Sequence, residues 1–479
     1  MQPRDEIHKS WTLFLCCLAQ FMIILDVSVV NVALPSIRND LGFSATDLQW
    51  VVNAYTLTFA GFLLLGGRAA DLLGQRRIFV SGLLLFAVAS LAGGLSQNQT
   101  VLVLARGLQG LGGAVVAPVT LSILTTTFSE GAERNRALAA WGMMGAAGGA
   151  AGVLIGGVLT DLLGWQWILF INVPIGVLAA LAARRFIIES EIAPSGTRHY
   201  DAAGALTVTA GLLIVTYAIV RTDVNGWGST ATLGTMAVGI ALLLAFVGIE
   251  GRFSRRPLVP LGIFRTRSLT AANIVVFFMG AAVFAMWYFV SLYLQEVLGY
   301  SPIRAGLAFL PMTFSIIIAT SLARRFIGRF GPGRVLAGGM TLVAIGMALF
   351  ATVPADGVYV SDVLAPAVLT ALGLGFSFVP VTIAAVAGVQ GPQSGLASGL
   401  VNTSRQFGGS LGLAVLATIA SQHTRTVAHG GRIDATALTA GFHSAFLAGA
   451  AFAVAGALVA AAGLARQGAP VAEPAPARS

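Results

Sequence analysis

Long apolar segments follow one another along the whole chain, and each is long enough to cross a bilayer as a helix. Backbone groups inside a membrane must be hydrogen-bonded within the spanning element, and segments of this length form helices rather than barrel strands. The sequence therefore predicts an all-α polytopic membrane protein with fourteen transmembrane helices. The predicted spans are 11–35, 48–66, 78–95, 101–127, 137–159, 168–188, 202–220, 231–250, 269–294, 304–323, 334–353, 363–388, 400–421 and 441–464.

The distribution of charge predicts how these helices are oriented. Only 10% of the 479 residues are charged, whereas a soluble domain has about a quarter. The net charge of +9 is scattered over short loops, which argues against a nucleic-acid-binding protein. Most lysines and arginines lie in the even-numbered loops and in the two tails. We therefore expect a multi-pass protein of the cell (inner or plasma) membrane with both termini in the cytoplasm.

The two parts of the chain carry matching motifs separated by about 260 residues. The motif GLGGAVVAPVT begins at Gly110, and GLGFSFVPVT begins at Gly373. A glycine triplet at 148, 149 and 152 returns at 408, 409 and 412. Parallel repeats of six helices are typical of transporters that rock two bundles about a site between them. The sequence thus predicts two six-helix bundles with two extra helices inserted between them.

These repeats set the expected domain boundaries. The segment after the inserted helices alternates arginines with apolar side chains, which is typical of an interfacial stretch at the cytoplasmic leaflet. The predicted order is an N-terminal bundle at 1–200, the inserted helices at 201–250, a cytoplasmic interfacial loop at 251–268, a C-terminal bundle at 269–466 and a disordered cytoplasmic tail at 467–479.

Asp26 lies about 15 residues into the first apolar segment, or roughly 22 Å along a helix. A carboxylate at that depth is costly unless it is neutralised, paired or hydrated, and a titrating proton carrier is the first hypothesis. The alternative is a structural carboxylate satisfied by a neighbouring helix. The repeat aligns Asp26 with Val283 and Arg106 with about Val368, so charged chemistry is expected in the first bundle only.

Polar and aromatic residues in otherwise apolar stretches indicate the wall of a substrate cavity. The expected first-bundle wall comprises Asn31, Asn53, Tyr55 and Gln109, and the second-bundle wall comprises Trp287, Tyr288, Asn402 and Gln406. Such a surface suits apolar or cationic ligands. An interhelical hydrogen bond is the alternative for each asparagine and glutamine, and a membrane-interface position is the alternative for Tyr293 on the same aromatic face.

Three further motifs connect these features with a known family. The loop after the second segment reads GRAADLLGQRR from Gly67 to Arg77, the fourth segment carries RGLQG from Arg106, and the fifth carries glycines at four-residue spacing. The first apolar segment also contains LDVSVVNVALP, and WQWILFINVPIG begins at Trp165. With these motifs, the chain resembles the major facilitator superfamily. Within it, the fourteen helices are similar to the drug:proton antiporter branch, which includes multidrug and antibiotic efflux proteins.

The resemblance implies roles for particular residues. The loop residues Gly67, Asp71, Gly74, Arg76 and Arg77 would form a cytoplasmic conformational latch. Arg106 would share the proton path with Asp26. A helix-packing motif would comprise Gly148, Gly152, Gly156 and Gly157, with Val153 where the family pattern has proline. A loop that serves only membrane topology is the less favoured alternative, because the whole pattern is present, whereas the glycine run is equally consistent with ordinary helix packing.

The favoured function is a proton-coupled exporter of hydrophobic or amphipathic compounds such as drugs or antibiotics. Lys9 is the only lysine, so no nucleotide-binding lysine is available for an ATP-driven engine, and the histidines show no metal-binding spacing. We expect no cofactor, no enzymatic activity and a monomer whose partners are substrate, protons and lipid. The alternatives are an exporter or flippase for a lipid or a specific metabolite and, from another class, a membrane-embedded enzyme or receptor.

Overall fold

The structure is a computed structural model that describes residues 3–189, 201–253, 257–387, 394–428 and 433–464. Within these ranges it contains helices and no strand. Fourteen long helices follow the order of the predicted segments. They are α1 Pro3–Leu41, α2 Trp50–Leu73, α3 Gln75–Gly94, α4 Gln99–Thr127, α5 Ala132–Leu162, α6 Asn172–Phe186, α7 Ala202–Asn225, α8 Thr230–Gly248, α9 Arg267–Leu292, α10 Leu310–Phe330, α11 Pro332–Phe350, α12 Leu364–Val386, α13 Ser394–Val427 and α14 Ala435–Gly463.

Two of these helices are extended by short ones. The helix Trp167–Phe170 precedes α6, and Pro302–Ala308 precedes α10. In the described ranges, thirteen helical spans are long and apolar enough to cross a membrane. The other long helix, α13, has 34 residues and carries polar side chains around Arg405, and it packs against α9 and α14. The predicted all-α polytopic fold is confirmed, whereas the predicted tail at 467–479 lies outside the described residues.

The sequence repeat is visible in the helix packing. In the first bundle, α1 packs against α5, α2 against α4, and α3 against both α4 and α6. In the second bundle, α9 packs against α13, α10 against α12, and α11 against both α12 and α14. The turns repeat as well, because Gly42 and Gly299 both have φ 66°, and Gly74 and Gly331 have φ 100° and 81°. Only glycine adopts these backbone conformations without strain.

Glycine contacts establish how the first helices of the two bundles correspond. Gly148 of α5 packs against the carbonyl oxygen of Phe21 in α1. Gly408 of α13 makes the same contact with the carbonyl oxygen of Phe277 in α9. Small residues allow such close backbone approach between membrane helices. Equivalent positions on α1 and α9 are therefore those of Phe21 and Phe277.

This correspondence corrects the expected partner of Asp26. It aligns Asp26 with Ala282, and the expected alignment with Val283 is wrong by one residue. The sequence matches used for that alignment lie in the connecting loops, whose spacing differs by one residue from that of the helices. Ala282 is apolar and fully buried, so the second bundle has no acidic side chain at this position.

The two inserted helices lie outside the bundles. Helix α7 packs against α2 of the first bundle and α13 of the second, and so covers one seam between them. Gly61 of α2 lies against Thr209 of α7, which brings these helices close together. Helix α8 packs mainly against α7, and only 11% of its most apolar window is buried. The exposed surface of α8 is therefore available to lipid.

Polar contacts join the bundles at the end that carries the α1–α2 connection, which we call the first-loop end. Arg38 of α1 donates to both carboxylate oxygens of Glu296 at 2.9 and 2.8 Å. Ser291 Oγ donates to the carbonyl of Asn31 at 2.6 Å. Gln295 Nε2 donates to the carbonyl of Val32 at 2.9 Å. These bonds hold α1 and the end of α9 together, so the first-loop end is closed in this structure.

Close glycine packing completes this closure. Gly157 of α5 lies against the carbonyl oxygen of Pro302, and Gly306 lies against the carbonyl oxygen of Val153. The short helix Pro302–Ala308 thus contacts α5 without intervening side chains. A larger residue at Gly157 or Gly306 cannot be accommodated unless the bundles separate.

We predict that Gly306→Leu opens the first-loop end. The test is crosslinking of cysteines introduced at Arg38 and Glu296 by a bifunctional thiol reagent about as long as the two side chains that they replace, after replacement of Cys16 and Cys17 by alanine. Overpacking should lower the crosslinking yield by at least about fivefold. Gly328→Leu is the matched control, because no atom lies near the added Cβ at that position. Equal crosslinking in all three backgrounds would contradict the assigned interface.

Candidate functional site

Asp26 is fully buried in α1 and accepts three hydrogen bonds from side chains. Arg106 Nη1 of α4 donates to Oδ2 at 2.6 Å. Gln109 Nε2 of α4 and Asn172 Nδ2 of α6 donate to Oδ1 at 2.6 and 2.8 Å. An ionised carboxylate needs this kind of partner set to persist away from water. The geometry is therefore that of a buried ion pair supported by two amides.

Arg106 is as tightly held as the carboxylate. Its side chain is 2% exposed, and its Nε donates to the backbone carbonyl of Val51 in α2 at 3.0 Å. Its Nη1 also donates to Gln109 Oε1 at 2.6 Å. The guanidinium carbon lies 4.4 Å from the centre of the Tyr55 ring, which adds a cation–π contact. The guanidinium can move only if several of these contacts change together.

The network also connects the helices of the first bundle. Gln109 Nε2 donates to Ser90 Oγ of α3 at 2.8 Å, so residues from α1, α2, α3, α4 and α6 meet in one place. Two buried polar atoms at the site have no hydrogen-bond partner, the hydroxyl of Tyr55 and the Oδ1 of Asn172. These atoms are available to accept a new partner if Asp26 or Arg106 moves.

The sequence prediction captured most of this constellation. Asp26 and Arg106 were expected to share a proton path, and Gln109 and Tyr55 to line a substrate cavity; the structure instead places all four in one buried network. Asn172 was missed as a site residue, although it is the one strongly polar residue in the apolar run WILFINVPI. Its isolation in that run is the signal that could have identified it. Ser90 carried no comparable signal, because serine is common at helix–helix contacts in membranes.

The other expected cavity residues of the first bundle lie nearer its interface with the second. Asn53 is buried and donates to Gln49 Oε1 at 3.3 Å, while its Oδ1 has no partner. Asn31 is partly buried and donates to the carbonyl of Val27 at 3.1 Å. Its own carbonyl accepts the hydrogen bond from Ser291 across the interface. Asn31 therefore makes its hydrogen bond within α1, and Asn53 bonds to a residue just before the start of α2.

The expected aromatic wall of the second bundle is largely packed. The Trp287 ring stacks on that of Phe309 with centroids 4.9 Å apart. Tyr288 is buried, and its hydroxyl donates to the carbonyl of Ala45 at 3.4 Å. Gln406 is also buried, whereas Asn402 is exposed on α13. Among these four residues, Asn402 is the most exposed, and Trp287 is partly buried.

The predicted latch loop is anchored within its own bundle. The backbone N–H of Arg76 donates to Glu189 Oε1 at 3.0 Å, just beyond the end of α6. The Nε atoms of Arg76 and Arg77 lie 3.5 and 3.6 Å from Glu189 Oε2. Gly67 packs against Pro118 of α4, and Gly74 forms the turn beside Glu189. Asp71 belongs to α2, and its side chain lies outside the described residues.

The glycine run of α5 has two contact surfaces. Gly148, Gly152 and Gly156 face α1, and Gly152 lies against the carbonyl of Leu25, next to Asp26. Gly157 faces the second bundle at the interface described above. One helix therefore contacts both the segment that carries the buried acid and the opposite bundle.

In the described residues, no group of three or more histidine, cysteine and acidic side chains could hold a metal ion.

Comparisons with known proteins agree with this geometry. Residues 16–413 match the family model of the Major Facilitator Superfamily. The chain is 42% identical over 413 residues to the cephamycin export protein CmcT of Amycolatopsis lactamdurans, with 86% of this chain and 85% of that protein covered. It is 38% identical over 420 residues to the puromycin resistance protein pur8 of Streptomyces alboniger, with 87% and 83% covered.

A solved structure supports the fold independently. The crystal structure of an auto-inhibited peptide transporter of the POT family superimposes with a TM-score of 0.71. The alignment covers 97% of this chain and 99% of that one at 14% identity, and so concerns the fold alone. Together, the family match, the relatives and the two repeated bundles show that this chain belongs to the Major Facilitator Superfamily.

Proposed function

We propose that this protein is a proton-coupled secondary exporter of hydrophobic or amphipathic small molecules, drugs or antibiotics among them, and that Asp26 carries the proton. The observation that carries the proposal is the buried Asp26–Arg106 pair in a fold of two repeated bundles. A cephamycin export protein and a puromycin resistance protein among the relatives support the direction and substrate class. The energy source is the proton gradient, with no cofactor and no covalent chemistry.

In the proposed cycle, a proton and Arg106 compete for the carboxylate of Asp26. In the conformation described above, Asp26 is ionised and bound to Arg106, Gln109 and Asn172. When the first-loop end opens, water reaches Asp26, a proton binds to it, and Arg106 loses its charged partner. When the first-loop end closes again, Asp26 becomes accessible from the opposite side of the membrane. Arg106 then pairs with Asp26 again, and the proton is released to that side. Such a switch requires the two conformations to differ in their affinity for the proton.

Helix α5 provides a physical connection between this site and the bundle interface. Gly152 fixes the backbone of α1 beside Asp26, and Gly157 contacts Pro302 of the second bundle. Separation of the bundles at the first-loop end therefore pulls on a helix that packs directly against the Asp26 segment. We infer that the first-loop end faces the outside of the cell membrane, as the loop charges predict.

Asp26→Asn should abolish transport driven by a pH difference while leaving the protein folded, because asparagine keeps the shape of the side chain but cannot be ionised. The measurement is substrate accumulation in liposomes containing purified protein, with and without an imposed pH gradient. Asp161→Asn is the control, since Asp161 is exposed near the end of α5. Accumulation by Asp26→Asn against a gradient, driven by pH alone, would mean that the proton binds elsewhere.

Asn172→Ala should impair the same transport less severely. It removes one of the three donors to Asp26, and a hydrogen bond to a charged group contributes about 1.5–3 kcal/mol, so a loss of roughly tenfold in rate is expected. The rate is measured in the same liposomes as for Asp26→Asn. A rate equal to that of the wild type would show that the Asn172 contact has no part in coupling.

Glu189→Gln should slow transport at least about fivefold, because it removes the charge that anchors Arg76 and Arg77 beside the Gly74 turn. Substrate affinity at equilibrium should be unchanged, since Glu189 lies outside the buried network. Glu130→Gln is the matched control: the side chain of Glu130 is 87% exposed and that of Glu189 is 18% exposed. If both variants transport at the wild-type rate, the loop serves topology and not the conformational change.

A further inference from the structure

A second arginine, Arg405, lies within a predicted membrane span, and its partners differ from those of Arg106. It lies 11 residues into α13, or roughly 16 Å along the helix from its start. Its Nη2 donates to Asn402 Oδ1 at 2.9 Å, and its guanidinium carbon lies 5.8 Å from the centre of the Phe378 ring. Its Nε is buried without a hydrogen-bond partner. Among the described residues, no carboxylate lies within ion-pair distance of Arg405.

The contacts of α13 determine which way this part of the helix faces. One side of α13 contacts α2 of the other bundle, where Gly399 lies against Leu64. Another side contacts α9, where Gly408 packs against the backbone of Phe277. At 100° per residue, Asn402 lies about 60° from Gly399 and about 20° from Gly409, which packs against Phe284 of α9, so it lies between the α2 and α9 sides, and it is exposed. Asn402 therefore faces the space between α2 and α9, which is the space between the two bundles.

The apolar wall beside this pair is aromatic. Phe378 of α12 lies under the Arg405 guanidinium, and Phe284 of α9 lies against Gly409, one turn further along α13. A cation, an amide and two aromatic rings thus surround one part of the space between the bundles. This combination offers charge and hydrogen bonding to one end of a ligand and apolar contact to the rest.

The charges explain what kind of ligand fits. Arg106 is neutralised by Asp26 inside the first bundle, whereas Arg405 adds an unpaired positive charge beside the space between the bundles. An unpaired guanidinium in a low-dielectric environment favours any anion that can reach it, and its planar donors suit a carboxylate in particular.

We propose that Arg405 and Asn402 form a subsite for the anionic group of an exported amphipathic compound, with Phe378 and Phe284 contacting its apolar part. This inference deepens the proposed export function and rests on it. The preferred substrates are then organic anions, most favourably carboxylates attached to an aromatic or other apolar group. The sequence analysis expected apolar or cationic ligands on the aromatic face of α9, and the proposed subsite adds a place for anionic groups.

The test uses two fluorescent probes that differ only in charge, dansylglycine and its neutral amide. Binding to the purified full-length protein in phosphatidylcholine nanodiscs is followed by fluorescence without any pH gradient. The wild type should bind the carboxylate at least about tenfold more tightly than the amide. Arg405→Gln should remove this preference with little change for the amide, and Arg405→Lys should retain part of it. Arg329→Gln, at the exposed end of α10, is the matched control.

Each outcome bears on the proposal. Equal affinity of the wild type for both probes, or no measurable binding of the carboxylate, overturns it without any need for a variant. A preference that survives in Arg405→Gln also overturns it. Loss of carboxylate binding when phosphatidylglycerol replaces part of the lipid would identify the anion as a lipid headgroup and contradict a substrate subsite. Because no gradient is applied, failure here leaves proton-driven export by Asp26 to be judged by its own transport assay.

Discussion

The buried ion pair between Asp26 and Arg106 is the interaction on which the rest of the first bundle depends. Removing one partner of such a pair leaves an uncompensated charge and costs about 3–5 kcal/mol. The backbone carbonyl of Val51 and the amides of Gln109 and Asn172 hold the pair in place, and Ser90 of α3 supports Gln109, so five helices are arranged around it. A buried charge is costly in a membrane, and protonation of Asp26 would change all of these contacts at once. For this reason the pair is proposed as the proton-binding site.

The two bundles share a packing plan but differ in their charges. The helices pair in the same way and the turn glycines recur, yet Ala282 replaces the acid in the second bundle. Arg405 introduces a cation there without a described carboxylate partner. In the proposed function, this difference in charge means that the first bundle exchanges the proton and the second bundle binds the anionic group of the substrate. Helix α5 connects the two, because its glycines contact both α1 and the second bundle.

Sequence reasoning predicted the all-α polytopic fold well because membrane-spanning length and repeated glycines are local signals. It also identified Asp26 and Arg106, since charges in apolar segments stand out in any reading of the chain. It missed Asn172, the anchoring role of Glu189 and the packed state of Tyr288. Those depend on contacts between helices far apart in sequence, which neither hydropathy nor spacing encodes. The one-residue error at Val283 arose because loop matches do not fix helix register.

The most direct test of the central claim is infrared difference spectroscopy on the purified protein as the pH is lowered from mildly alkaline to mildly acidic. A protonated carboxyl group has a carbonyl stretching band that an ionised one lacks. Exposed carboxyl groups contribute such bands in every variant, but the wild type and Asp161→Asn should show an additional band from a buried carboxyl group that is missing from Asp26→Asn. Identical difference spectra for the wild type and Asp26→Asn, under conditions where the wild type transports, would show that Asp26 does not carry the proton.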